Sequence, residues 1–284
     1  MAETIRISGR RKQAATLQLA PEQRLVGEGP GAALEFVGGV DGVQLSRGNT
    51  IEGLTVLVDR GRRAIFSDVA DLGHLRLAQV STVGQVQLLA GAGQVTVDRL
   101  HVVDADVRVR TKLSRPPWSQ NLQAFQGAFT LWQRQGEELS LRARLTRISV
   151  GQVAAPVSGG GVLVAGPPGR IMGVQVEELS TGPVFADGGR PAGADTIGAG
   201  VLVAPGALVT VISHQGRVDV RGDGDKALVN WGIVGTWRLG APISSHGVDG
   251  EVLDNSGMIG SIQTDGPLVS ITMRSGGHVY VFNG

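Results

Sequence analysis

The chain contains no cysteine in 284 residues. That excludes a disulfide framework, a cysteine-based zinc site and a thiol nucleophile. It has no excess of charge of one sign either. Its 26 basic and 25 acidic residues leave a net charge of +1, so there is no broad basic face for general nucleic-acid binding. No stretch is long and apolar enough to span a membrane as a helix. The opening Met1-Ala-Glu-Thr-Ile-Arg-Ile-Ser8 has no apolar signal core. A cytoplasmic protein is expected from it as written, or an extracellular one if a leader was removed. No histidine pair or acidic cluster has metal-ligand spacing, and no cofactor is expected. Aromatics are few: four tryptophans, six phenylalanines and one tyrosine.

What the chain has is glycine, 44 residues without a collagen period, and a recurring short strand rich in valine and leucine. Its members are Val43/Leu45, Ile65, Val86/Leu88, Val107/Val109, Phe129/Leu131, Val162/Val164, Val201/Val203, Ala227/Val229, Val252 and Val279/Val281. They stand 22, 21, 21, 22, 33, 39, 26, 25 and 27 residues apart. A period in this range points to a repeat architecture, in which each unit packs on its neighbours. A second ladder falls between members of the first: Ile51-Glu-Gly53-Leu-Thr-Val56, Leu75-Arg-Leu77-Ala-Gln-Val80, Val95-Thr-Val97-Asp-Arg-Leu100 and Ile171-Met-Gly173-Val-Gln-Val176. Alternating apolar residues and connections too short for helices imply coils whose equivalent strands stack in parallel.

The stretches Leu25-Val-Gly-Glu-Gly29, Asp41-Gly-Val-Gln-Leu45 and Asn49-Thr-Ile-Glu-Gly-Leu-Thr-Val56 resemble the opening coils of pectate-lyase-like, right-handed parallel β-helix proteins. The resemblance covers most of the chain and concerns the fold. It implies an all-β, right-handed, single-stranded parallel β-helix (solenoid) of about ten coils, one domain spanning 1–284, with residues 1–16 capping the N-terminal end. The superfamily includes polysaccharide lyases, glycoside hydrolases, epimerases, adhesins and non-catalytic modules, so the fold does not choose among them.

Function is sought where the period stretches. Segments 110–128, 151–161 and 183–200 each precede a first-ladder strand, so they are expected to leave one corner and wall a cleft. Asp106, Arg108 and Arg110 alternate on one strand face beside the first of them and are the catalytic candidates. Arg63, Trp118, Trp132, Asp187 and Arg190 are candidates for substrate binding. Arginine suits carboxylates, tryptophan suits sugar faces and aspartate can act as general acid or base. The Gly-His-Gly turn and the Asn-Thr-Asp motif of polygalacturonases are absent. His214 reads as a hydrogen-bonded structural histidine, Lys226/Glu251/His278 as a charge column, and Asn230/Asn255 as an amide ladder. The residue after each first-ladder apolar position turns from polar to apolar along the chain, ending in Leu163, Leu202, Leu228, Leu253 and Tyr280. If exposed, this stripe is the surface for a homo-oligomer. Two functions remain open: a carbohydrate-active lyase, hydrolase or epimerase acting on a glycan or sugar-like ligand, and a non-catalytic binding, adhesive or assembly module. The clustered loops favour the first; scarce aromatics and the missing catalytic motif favour the second.

Overall fold

The computed structural model describes residues 3–109, 118–119, 122–134, 140–167, 169–170, 172–189 and 196–264. Arg110, Arg190, His278, Val279–Val281 and Tyr280 lie outside the described residues, as does the side chain of Trp118. Among the described residues the chain is all-β apart from one 3-10 turn. Twenty-one strands join in one hydrogen-bonded system, and its strand-to-strand pairings are parallel. This is the pattern of a β-helix or solenoid.

Three ladders run through it. The first carries Val43, Ile65, Val86, Phe129, Val162, Val201, Leu228 and Leu253 in consecutive register. The second carries Leu25, Ile51, Leu77, Val97, Leu145, Leu179, Ile212 and Trp237. The third carries Leu34, Val56, Thr82, Val102, Val150, Val184, Val218 and Ile243. Nearly all of these side chains point inward and are buried in one continuous core. Burying a single such side chain contributes about 1.5–3 kcal/mol. The core is renewed at every rung, and its stability accumulates along the rod.

Two register expectations need correction. Val107/Val109 is not a rung. Val107–Val109 forms the 3-10 turn, and Phe129 pairs directly with Val86, 43 positions away. The carboxylate of Asp106 accepts from the Arg108 backbone N–H at 3.1 Å and curls the chain there. In the second ladder Ile51 opposes Leu77 rather than Leu75, and Val176 belongs with Ala143 and Val95 rather than with Leu100. The cause is the corner after each second-ladder strand. Gly53, Gln79, Arg99 and Arg147 occupy it in successive coils with φ of 64°, 53°, 56° and 57°. The corner therefore selects a left-handed residue, and Gly53 is equivalent to Gln79 rather than to Leu77.

A non-glycine residue in that conformation brings its Cβ against the following carbonyl at roughly 1–2 kcal/mol. Gln79 is exposed. We expect Gln79→Gly to stabilise the protein by about 0.5–1 kcal/mol after the added freedom of the unfolded chain is subtracted. Urea unfolding measures this, with mid-strand Arg76→Gly as the control that destabilises.

Within residues 1–16, the expected N-terminal cap, Thr4–Gln13 forms the first described strand and pairs in parallel with Arg24–Phe36. Arg6 and Arg10 reach the next rung at Glu28 (2.7 Å) and Glu35 (2.9 Å). Toward the other end, Asn230 donates to Asn255 at 2.8 Å, and Lys226 meets Glu251 at 2.5 Å and Asp254 at 3.3 Å. Both columns thus link adjacent rungs.

The loops fold back on the outer side of the first ladder. Trp118–Ser119, Leu122–Ala124 and Thr196–Ile197 make a separate three-stranded sheet. Ala124 and Ile197 from it pack with Leu163, Ala165, Leu202 and Val229 in a second apolar cluster. Two residues on from Ala124, Gln126 meets the polar half of the same ladder. Its Oε1 accepts from Gln87 at 2.6 Å and Gln85 at 3.2 Å. The polarity change along the ladder is therefore matched by a polarity change in the loop that covers it.

Candidate functional site

The corner from which the loops leave brings together some of the expected residues. Asp106 bridges to Ser158 in parallel fashion, and Ser158 pairs with Asp187 on the next rung. Asp106, Ser158 and Asp187 thus form a column with steps of about 4.8 Å. Arg108 binds the Asp106 carboxylate twice, through Nε and Nη2, each at 3.0 Å. Its guanidinium also reaches the turn at Asp187–Gly189, where a Cβ on Gly189 would strike it. Burial of Asp106 works to raise its pKa, but the hydrogen bonds and charge of Arg108 outweigh this and hold it below the ordinary carboxylate range. Arg60, which the alternation pattern did not single out, joins the corner through Ser158 Oγ at 3.0 Å and Asp104 at 3.2 Å.

The other described candidates lie elsewhere. Arg63 is largely buried and clasped by Asp41 at 2.6 and 3.1 Å, with its guanidinium 3.9 Å from the centre of the Phe66 ring. Trp132 opposes Ala165 on the strand Gly160–Ala165, seven residues beyond Ser158. Past the corner at Gly159, Ala165 lies five residues along its strand from Gly160, about 16 Å at the strand rise. It packs on the second apolar cluster. Trp118 pairs with Gln123 in the small sheet, and its side chain lies outside the described residues.

His214 is fully buried and joins two neighbours. Trp237 Nε1–H donates to its Nε2 at 2.8 Å, and Nδ1 lies 2.7 Å from Thr181 Oγ1. Since Nε2 accepts, the proton sits on Nδ1 and is donated to the threonine. Burial pushes the imidazole pKa down to about 3. This is a structural histidine.

Asp225 is the residue that sequence reasoning missed. It is 1% exposed. Its carboxylate accepts from the backbone N–H groups of Gly188 (2.6 Å), Gly198 (2.7 Å) and Gly222 (3.1 Å). A Cβ at any of the three glycines would press into that carboxylate. Burial raises its pKa, with the Asp187 charge adding to the effect, against three N–H groups that lower it. Asp225 ties both ends of the 188–198 loop to the coil that follows.

The stripe expected as an oligomer surface is not exposed at Leu163, Leu202 or Leu228, each 1% exposed. Leu163 and Leu202 lie under Ala124 and Ile197, so this chain's own loops cover them. Leu228 sits one residue out of the expected phase: it opposes Val201 and faces the main core. Leu253 is half-buried against that core.

A groove of about 460 Å³ crosses the outer face of the second ladder instead. It spans four consecutive rungs and is lined by Gln94, Thr96, Arg142, Arg144, Gln175 and Glu177, with Leu208 and Thr210 at its end. Gln94, Arg142, Gln175 and Leu208 stand in register. No group of three or more His, Asp or Glu suited to a metal occurs among the described residues. None of the described helices is long and apolar enough to cross a membrane. Compared with family models, curated proteins and solved structures, the chain matches none.

Proposed function

We propose that this chain is a right-handed, pectate-lyase-like β-helix of about ten coils that acts as a non-catalytic binding module for a glycan or sugar-like ligand. The observation that carries this reading is the contrast between the two polar regions. At the loop corner Asp106 is occupied by Arg108, Arg63 is committed to Asp41, and Trp132 stands at the far end of its strand. A carboxylate held ionised by an arginine is a poor general acid. On the second ladder, by contrast, an open groove presents arginine, glutamine, threonine and glutamate side chains to solvent on a rigid sheet.

The expected result is binding without turnover. Affinity electrophoresis against a panel of soluble polysaccharides should retard the protein, while reducing ends and unsaturated uronates stay at background. Release of product that Asp106→Asn abolishes would sink this reading. It would restore the lyase or hydrolase, for which the meeting of Asp106, Arg108 and Asp187 is the supporting observation.

A further inference from the structure

We infer that the groove on the second ladder takes an uncharged, hydroxyl-rich chain laid along the stacking direction of the strands. This rests on the binding-module reading and specifies its ligand.

The direction follows from register. Gln94, Arg142, Gln175 and Leu208 lie on four successive strands. At about 4.8 Å per rung the column covers roughly 14 Å, the reach of a short oligosaccharide. Beside it, about 7 Å along each strand, run Thr96, Arg144 and Glu178. A register shift between Ala143 and Arg144 brings an extra residue, Glu177, into the groove.

The class follows from charge. Arg144 is neutralised by Glu178 at 2.8 and 3.1 Å. Arg142 and Glu177 have no hydrogen-bond or ion-pair partner among the described residues, though both face solvent. Several exposed arginines elsewhere along the rod are paired across rungs, such as Arg6 with Glu28, Arg24 with Glu52 and Arg147 with Asp98, whereas Arg11, Arg76 and Arg99 have no hydrogen-bond or ion-pair partner among the described residues. What sets the groove apart is that an unpaired cation, Arg142, and an unpaired anion, Glu177, line it together among the described residues. A polyanion would meet Glu177 and Glu178, and a polycation would meet Arg142. A hydroxyl both donates and accepts, so it satisfies the donor-only guanidinium, the acceptor-only carboxylate and the two amides alike. The half-buried Leu208 offers an apolar end for C–H faces.

Calorimetry tests this with neutral tetrasaccharides of glucan, xylan, mannan and galactan, and an oligogalacturonate of equal length. At least one neutral sugar should bind, with an affinity unchanged by added salt. Arg142→Ala and Glu177→Ala should each weaken it about tenfold, the scale of one hydrogen bond to a charged group. Arg6→Ala, at the first rung, should not. All three sites are exposed, and an unchanged unfolding midpoint verifies each variant's fold. Tighter, salt-sensitive binding of oligogalacturonate would overturn the uncharged ligand. Neutral binding indifferent to Arg142 and Glu177 would overturn the groove and leave the binding module standing. Failure of every sugar to bind would remove both.

Discussion

Acidification from pH 6.5 to 5 should destabilise the protein by about 2 kcal/mol through His214 alone. In the unfolded chain this imidazole takes a proton near 6.5; in the fold it does so only near 3. Between those values the unfolded state binds the additional proton. Stability is therefore complete above 6.5 and falls by about 1.4 kcal/mol per pH unit on descent, reaching a loss of about 5 kcal/mol near pH 3. The resistance has a structural basis. A second ring proton would sit on Nε2, facing the Trp237 N–H that now donates to it. Comparison with a His214 variant isolates this effect, because Asp225, whose carboxyl pKa is raised by burial, shifts stability in the opposite sense on acidification. The carboxylates held low by arginine partners and backbone N–H groups, Asp71, Asp98 and Asp106, lose their contribution only as pH falls through their depressed values, below the ordinary range near 4. Urea titrations at several pH values give the slope. His214→Leu should be less stable at pH 7.5 by about 2–4 kcal/mol, because the Trp237 N–H and Thr181 hydroxyl lose their partner. Its stability should fall with acid less steeply than that of the wild type. Equal slopes in the two proteins would refute the assignment.

The second large effect should come from Asp225→Ala, at about 3–5 kcal/mol. Three buried N–H groups on Gly188, Gly198 and Gly222 would lose their only shared acceptor, and each orphan costs about 1–3 kcal/mol. Asp225→Asn should recover only part of the loss. The amide keeps one oxygen, while its NH2 group points at a backbone donor. The damage should be local as well as global. The 188–198 loop is held to the coil through these bonds, so limited proteolysis should cut there first in the alanine variant. Wild-type-like resistance at that loop, with an unchanged midpoint, would show that the carboxylate is not its anchor.

These residues also mark where the sequence could be read and where it could not. The first ladder was legible because one side of most of its strands faces the core, and its steps of 22 and 21 residues repeat. The phase failed at Lys226–Asn230, which is buried throughout like Gly160–Ala165 and Ala199–Val203 but lacks their Val-Leu-Val pattern, reading Ala227-Leu-Val229 instead. Alternation carries no information when both faces of a strand are covered, so Leu228 could not be told from Ala227. Val107 and Val109 alternate with Arg108 as a strand would, but a side chain-to-backbone bond from Asp106 overrides the pattern. The structure brings Asp106, Arg108 and Asp187 to one corner, although Val107/Val109, the strand beside which Asp106 and Arg108 were read, is a turn and not a rung. Whether their charges were free could not be read, since Arg108 turns back on its own strand. Asp225 left no signal at all: its partners are backbone groups 37, 27 and 3 residues away, and backbone has no letter in the sequence. The groove was hidden for a related reason. It depends on four strands and one register shift, none of which carries a motif.

The 43-residue gap between Val86 and Phe129 makes that junction costlier to close than the rungs before it. Closing a rung costs chain entropy that grows with the logarithm of the segment between its strands, about 0.6 kcal/mol for each doubling. The gap is twice the ordinary 21-residue step, and the second ladder takes the same leap from Val97 to Leu145. Rungs before it can nucleate on one another, and so can rungs after it. By that logarithm the junction costs about 0.6 kcal/mol more to close than a 21-residue step, and the amides of Gln85 and Gln87 on Gln126 secure it. A rod that looks uniform along its length is, to a folding chain, sewn with stitches of unequal length.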